Sequence, residues 1–266
     1  MKHPSTIHDQ MGRAIQLTTP PNRIISLVPS QTELLLDLGL AHAVVGRTKF
    51  CVHPKPTVQN IPKIGGTKKL KLDQIRALQP DLIIGNKEEN TKEELELLMQ
   101  EFPVWMSDIA DLSAALEMIR QLGEITHTSA KAEALADQIQ ANFASLRPYQ
   151  AHPIDCAYFI WRKPYMVAAS DTFINHLLAQ AGFRNVFGHL TRYPAITASQ
   201  LAAAAPPYLL LSSEPFPFKD KHIQELQAIC PQSVIRLVDG ELFSWYGSRL
   251  LHAPAYFSNL RKALAL

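Results

Sequence analysis

Trp161-Arg162, Tyr193, Trp245-Tyr246 and Arg249 are the side chains best suited to chemistry in this sequence, and that chemistry is capture rather than bond breaking. Aromatic rings bury about 150–250 Å² each at low entropic cost, which suits large planar or mixed-polarity ligands. Arg162 and Arg249 offer fixed positive charge for a carboxylate, a phosphate or a ferric-catecholate anion. The sequence holds no GxSxG elbow, P-loop, GxGxxG or HExxH motif, so no nucleophile, phosphate cradle or zinc-hydrolase pair is expected. Gly65-Gly66, with basic residues after it, is too sparse for a phosphate loop. A bare Zn²⁺ or Mn²⁺ site needs three or four His, Asp or Glu ligands, and His53 alone is well placed. Cys51, Cys156 and Cys230 are an odd number without CxxC spacing, which predicts buried free thiols.

Such groups need strand ends to hold them. Arg23–Gly39 predicts a buried strand feeding a helix: Ile24, Ile25, Leu27 and Val28 form the apolar run, Pro29 stops it, and Gly39 takes the position after the helix. Ser30 with Glu33 three residues on is a capping-box pattern. A strand-turn-helix leaves free N–H groups and the positive end of a helix dipole at a sheet's carboxyl edge, so a binding site is expected near Ser30.

Two stretches repeat one pattern, a helix end, a proline and a short apolar strand: Ile75–Gly85 around Pro80 with Leu82–Ile84, and Leu201–Leu211 around Pro206 with Tyr208–Leu211. Ser30–Gly39 has a partner in Ser170–Gly182, again a small polar cap, a helix and a closing Gly. Two α/β lobes follow, over residues 1–112 and 149–266. Residues 113–148 carry no strand signal and read as a helical linker, a first helix near Ser113–Thr126 and a longer one from Thr128 or Ser129 to Pro148. Leu135, Ile139, Phe143 and Leu146 give the longer helix one apolar stripe. About 19 residues at ~1.5 Å each span roughly 28 Å, enough to link the lobes as a stiff rod. The expected cleft is lined by Ser30, Phe50 and His53 from the first lobe, and by Trp161, Arg162, Tyr193, Trp245, Tyr246 and Arg249 from the second. Phe243 and Trp245 alternate as a half-buried strand would.

The run RIISLVPSQTELLLDLG resembles the opening of the helical-backbone substrate-binding proteins that serve ABC importers of cobalamin, ferric siderophores and haem. The resemblance continues through CVHP at 51–54, IPKIGG at 61–66, LDQIRALQPDLIIG at 72–85, WRKPYMVAASDTFINHLLAQAG at 161–182, RYPAIT at 192–197, SSEPFPF at 212–218 and WYGSRL at 245–250. It implies two Rossmann-like α/β lobes linked by a long rigid α-helix, and a receptor rather than an enzyme. The ligand it implies is a cobalt- or iron-containing chelate bound without any resident cofactor, and the partner is an ABC permease dimer in the membrane. Tyr193 and His53 match family positions that hold ligand-facing aromatics, and Trp245 and Tyr246 match cleft-lining positions. Glu214 matches the acidic residue that docks the permease; shifting Pro206 onto Pro80 brings it to Glu88, with Glu89 and Glu93 as neighbouring alternatives.

The composition, 47% hydrophobic and 19% charged with a net charge of +2, is that of a globular chain and calls for no nucleic-acid partner. No stretch approaches ~20 apolar residues, so no transmembrane helix is expected. The resemblance implies the periplasm or the outer face of the cytoplasmic membrane. The first 21 residues lack the apolar core of a secretory signal, which keeps a second reading open: a cytoplasmic enzyme or metal-chelate chaperone on the same fold.

Overall fold

Short apolar runs bounded by Pro, Gly and polar turns become parallel strands, and the periodic stretches between them become the covering helices. The computed structural model describes residues 5–17 and 20–264. They fall into two compact units, Met1–Ile109 with Ser113–Gln138 and Tyr246–Arg249, and Ala110–Leu112 with Ile139–Trp245 and Leu250–Leu266.

In the first unit the chain runs through β1 (Ser5–His8), β2 (Ala14–Leu17), β3 (Ile24–Ser26), α1 (Pro29–Asp37), β4 (Val44–Arg47), α2 (Lys55–Val58), β5 (Gly65–Gly66) and β6 (Lys69–Leu70). It continues with α3 (Leu72–Leu78), β7 (Leu82–Asn86), α4 (Lys92–Met99), β8 (Val104–Ser107), α5 (Leu112–Ile125) and the start of α6 (Ser129–Ala144). The central sheet is parallel in the order β4-β3-β7-β8. Ile25, Leu27, Ile75, Ile83 and Leu98 pack as its core. The β1–β2 hairpin covers the β8 edge. Buried Asp9 accepts the Met106 N–H at 3.2 Å together with the N–H groups of Met11 and Arg13, and the Gln10 N–H donates to the Met106 carbonyl at 3.1 Å. An edge strand is thereby closed to pairing with other chains.

The second unit takes up the rest of α6, then α7 (Arg147–Gln150), β9 (Ile154–Trp161), β10 (Tyr165–Val167), α8 (Phe173–Gln180), β11 (Phe183–Asn185), β12 (Ala195–Ile196), α9 (Ala198–Ala204) and β13 (Tyr208–Ser212). After these come α10 (Asp220–Ile229), β14 (Val234–Val238), α11 (Glu241–Ser244), a 3₁₀ turn at Ser248–Leu251 and α12 (Ala253–Ala263). Its sheet runs β12-β10-β9-β13-β14, with β11 also beside β9; β10 is antiparallel and β9, β11, β13 and β14 are mutually parallel. Ala157, Phe159, Leu209, Leu211 and Leu226 lie in its core.

The internal repeat is present in register. α3 and α9, their left-handed last residues Gln79 (φ 42°) and Ala205 (φ 38°), and strands β7 and β13 all start and stop at positions 126 apart. Gly39 (φ +93°) closes α1 in a Schellman turn, its N–H on the Leu36 carbonyl and the Leu40 N–H on the Leu35 carbonyl.

Several local expectations are corrected. Ser30 and Glu33 form no capping box; Val28 is the N-cap with no side-chain bond, and Glu33 turns instead to Arg249. α8 is capped by Thr172, whose hydroxyl accepts the Asn175 N–H at 3.1 Å, and not by Ser170, which bonds the Leu190 carbonyl. The helix that begins at Ser129 ends at Ala144 after 16 residues, because the Ser145 hydroxyl takes the Asn142 carbonyl and the Leu146 N–H tightens onto Phe143. Pro148 lies inside the next short helix. Each half of α6 packs on its own unit: Ala132 meets Gly123 of α5, where an added Cβ would come within 2.2 Å, and Phe143 packs edge-on to Phe257 of α12. Phe243 lies in a helical turn, not a strand, closed by the Trp245 N–H on the Glu241 carbonyl.

Candidate functional site

In the first unit, β3 and β7 end side by side, and Tyr246–Arg249 packs over the first turns of α1. Ser30, buried in the first turn of α1, lies under Gly247: a Cβ on that glycine would stand 2.5 Å from the Ser30 carbonyl oxygen. Buried Tyr246 donates its hydroxyl to Glu89 Oε1 at 2.6 Å, with the Ser30 hydroxyl beside the phenol. Burial, then the Glu89 charge, lifts that phenol well above its usual range. Ser248 donates to Asp37, and Arg249 grips Glu33 bidentately, Nε to Oε2 at 3.0 Å and Nη2 to Oε1 at 2.6 Å. Burial raises the Glu33 carboxyl and outweighs the opposing pull of Arg249; His53 lies close enough to pull the same way as Arg249. Each side chain of Tyr246, Ser248 and Arg249 therefore has a partner within this unit.

Phe50 is different. It is 50% exposed, with Lys49 Nζ 4.9 Å from its ring centre. His53 is half-buried in the same loop. Past β7, Asn86 Oδ1 accepts the N–H groups of Glu88 (2.8 Å) and Glu89 (3.0 Å) while Asn90 Oδ1 accepts the Asn86 N–H at 2.8 Å, so two amides build the turn that presents these glutamates; Glu93 is exposed in the first turn of α4.

In the second unit, Trp161 closes β9 at 40% exposure, and Phe216 stands edge-on to it at 5.7 Å and 65°. Phe216 in turn contacts Phe218 and His222, so the indole rests on an aromatic stack. Arg162, the next residue, is clamped by Glu225 of α10, Nε to Oε2 at 2.8 Å and Nη2 to Oε2 at 2.5 Å. Tyr165 donates its hydroxyl to the same carboxylate. The Arg162 hydrogen bonds hold Glu225 below the usual carboxylate range, and burial ahead of the Glu225 bond pushes the Tyr165 phenol up to about 12. Tyr193 is half-buried ahead of β12, with the Arg192 guanidinium 5.8 Å from its ring centre. Trp245 is buried and donates Nε1 to Glu214 Oε1 at 3.0 Å; Ser244 donates to the same oxygen at 2.7 Å. Burial raises the Glu214 carboxyl despite these donors.

The expected residues thus fall into groups: Ser30 with Tyr246 and Glu89, Arg249 with Glu33 near His53, Trp161 and Arg162 on one platform, and Trp245 on Glu214. Sequence reasoning missed the partners that fix them, Glu33, Glu89, Glu225, Tyr165 and Phe216. Phe216 lies in the SSEPFPF segment, where its alternation with Phe218 is a usable signal. Glu225 had none, since it meets Arg162 across 63 positions of sequence. Among the described residues, no group of three or more His, Cys, Asp and Glu is placed to hold a metal ion, and no helix is long and apolar enough to cross a membrane.

In the second unit the exposed Trp161 indole beside Phe216 is an apolar surface of the kind that suits a bulky ligand. Among known proteins, the chain is 26% identical over 197 residues to a vitamin B12-binding protein of Vibrio campbellii, covering 73% of this chain and 71% of that one. It is 24% identical over 215 residues to an uncharacterized ABC transporter substrate-binding lipoprotein of Bacillus subtilis, covering 76% and 67%. The periplasmic vitamin B12-binding protein BtuF of Vibrio cholerae shares its fold, with a TM-score of 0.79 at 21% identity over 92% of this chain and 98% of that one. The model of the periplasmic binding protein family matches residues 24–229, so the chain belongs to that family, whose members bind substrates rather than transform them.

Proposed function

We propose that this chain is the substrate-binding receptor of an ABC importer, working outside the cytoplasmic membrane, and that its ligand is a metal chelate of the corrinoid, haem or ferric siderophore kind. The observation that carries this reading is the exposure of two large rings, Trp161 at the end of a strand in the second unit and Phe50 in a loop of the first. The B12-binding relative and the transporter lipoprotein agree with it. Ser30, His53, Tyr246 and Arg249 in the first unit and Arg162, Tyr193 and Trp245 in the second are read as ligand-binding residues, with Tyr246, Arg249, Arg162 and Trp245 held by bonds within their own units. Helix α6 serves as the stiff connector between a first lobe over 1–112 and a second over 149–266. Glu214 and Glu88 dock a permease dimer. The reading of a cytoplasmic enzyme or chaperone is not favoured, because the relatives are transport receptors.

Tryptophan fluorescence titration with cyanocobalamin, haemin and ferric siderophores tests this. Saturable quenching by one of them is expected, weakened by about 1–3 kcal/mol in Tyr193→Ala through lost stacking and buried area. Failure of every probe to bind would remove the reading.

A further inference from the structure

Arg162 stands next to the exposed Trp161, where an anionic ligand would be expected to find it. Its Nε and Nη2 are already bonded to Glu225 at 2.8 and 2.5 Å, and Tyr165 donates to the same carboxylate. A carboxylate or catecholate arriving at this guanidinium would have to displace a bidentate partner and sit against its negative charge. The neighbouring cations do not restore an anion site: Lys163, Lys219 and Lys221 are all exposed and screened by solvent, with Asp220 between the last two. His222 is buried in the aromatic stack and spends its Nδ1 accepting the Lys219 N–H at 2.9 Å. The other arginine expected to meet an anion, Arg249, is likewise bound bidentately, to Glu33 of the first unit. Both guanidiniums singled out as charge for an anion are therefore neutralised from within.

We propose that Glu225 sets the charge preference of the ligand face: by cancelling Arg162 beside Trp161 and Phe216, it leaves an aromatic platform suited to an electrically neutral chelate and selects against anionic ones. This rests on the receptor reading above. Glu225 is a positioning and screening residue, and it acts through Arg162.

The test compares dissociation constants of cyanocobalamin, which carries no net charge, with those of haemin and ferric enterobactin, which are anions. Wild type, Glu225→Gln, Arg162→Gln and the double variant are measured at two salt concentrations, with melting curves to verify folding. Wild type is expected to favour the neutral probe. Glu225→Gln should shift the neutral-to-anion affinity ratio toward anions by about tenfold, a difference near 1.4 kcal/mol, with the gain shrinking at high salt. Arg162→Gln should shift the ratio the other way, and the double variant should return it close to wild type. An unchanged ratio in folded Glu225→Gln, while wild type binds at least one probe, would overturn this inference and leave the receptor reading standing. Wild type binding none of the probes would overturn the receptor reading and the inference with it.

Discussion

The ends of β7 and β13 are the same device built twice with different contents. In both, a helix stops on a left-handed residue, a proline follows, five strand residues cross the sheet, and the last of them turns the chain with its side chain. Asn86 accepts the Glu88 N–H at 2.8 Å; Ser212 accepts the Glu214 N–H at 3.2 Å. Beyond that turn the two diverge. The first unit continues into a charged loop and the acidic start of α4, the second into Pro215-Phe216-Pro217-Phe218 and an aromatic stack. The backbone frame is thus set by local turn chemistry that tolerates either cargo, and the cargo decides what each strand end can bind. The ion pairs differ in the same way. Arg249–Glu33 in the first unit is 16% and 13% exposed, whereas Arg162–Glu225 in the second is 25% and 33% exposed.

Substitutions at matched positions sharpen this contrast. The largest effect is expected at the glycines that end α1 and α8. Gly182 (φ +76°) would set a Cβ 2.6 Å from the Tyr149 carbonyl oxygen, whereas Gly39 (φ +93°) would meet only the side-chain end of Lys131 at 2.8 Å, which can give way by releasing its bond to the Leu38 carbonyl. Gly182→Ala should cost about 3–5 kcal/mol and Gly39→Ala about 1–2 kcal/mol by denaturant unfolding, since only the first adds a backbone clash to the left-handed penalty. Equal losses would show that the clash relaxes.

Next come the ion pairs. Arg249→Ala strands the Glu33 carboxylate in a largely buried place and should cost about 2–4 kcal/mol, while Arg162→Ala leaves Glu225 facing water and should cost under about 1 kcal/mol. The Arg249→Ala loss should shrink in acid, because the Glu33 carboxyl already sits above its usual range and protonates readily.

The smallest effects separate two carboxylates of the second unit by sign. The Glu214 carboxyl is raised by burial, so its charged form weakens the fold and stability falls as pH rises through its folded value; Glu214→Gln should gain on wild type with rising pH. The Glu225 carboxyl is lowered by Arg162, so it contributes stability above the ordinary carboxylate range that is lost as pH falls through its folded value. Glu225→Gln should therefore trail wild type near neutrality and draw level in acid. Chemical denaturation between pH 3 and 8 reads both, and parallel curves would refute the assignment.

The two-unit architecture was legible because its signals are local. Pro80 and Pro206, the glycine closing α1 and the apolar runs at Ile24, Leu82 and Tyr208 act within a few residues of themselves. Ser30-x-x-Glu33 shows the limit. The capping pattern is genuine as spacing, yet the carboxylate is claimed by Arg249 across 216 positions. Arg162 looks like free charge in the sequence for the same reason, since Glu225 lies 63 positions away. Residue types at the site were readable, and their partners, which decide whether a charge is available, were not.

The burial of Cys51, Cys156 and Cys230 has a practical consequence. Burial raises all three thiols, and the Cys51 sulfur is wedged between the Thr32 and Thr48 hydroxyls at 3.0 and 3.2 Å. The native fold therefore offers almost no thiolate to an alkylating dye. One cysteine engineered on the solvent side of the Phe50 loop would be the sole label point, turning the unmodified background into a single-colour reporter of occupancy.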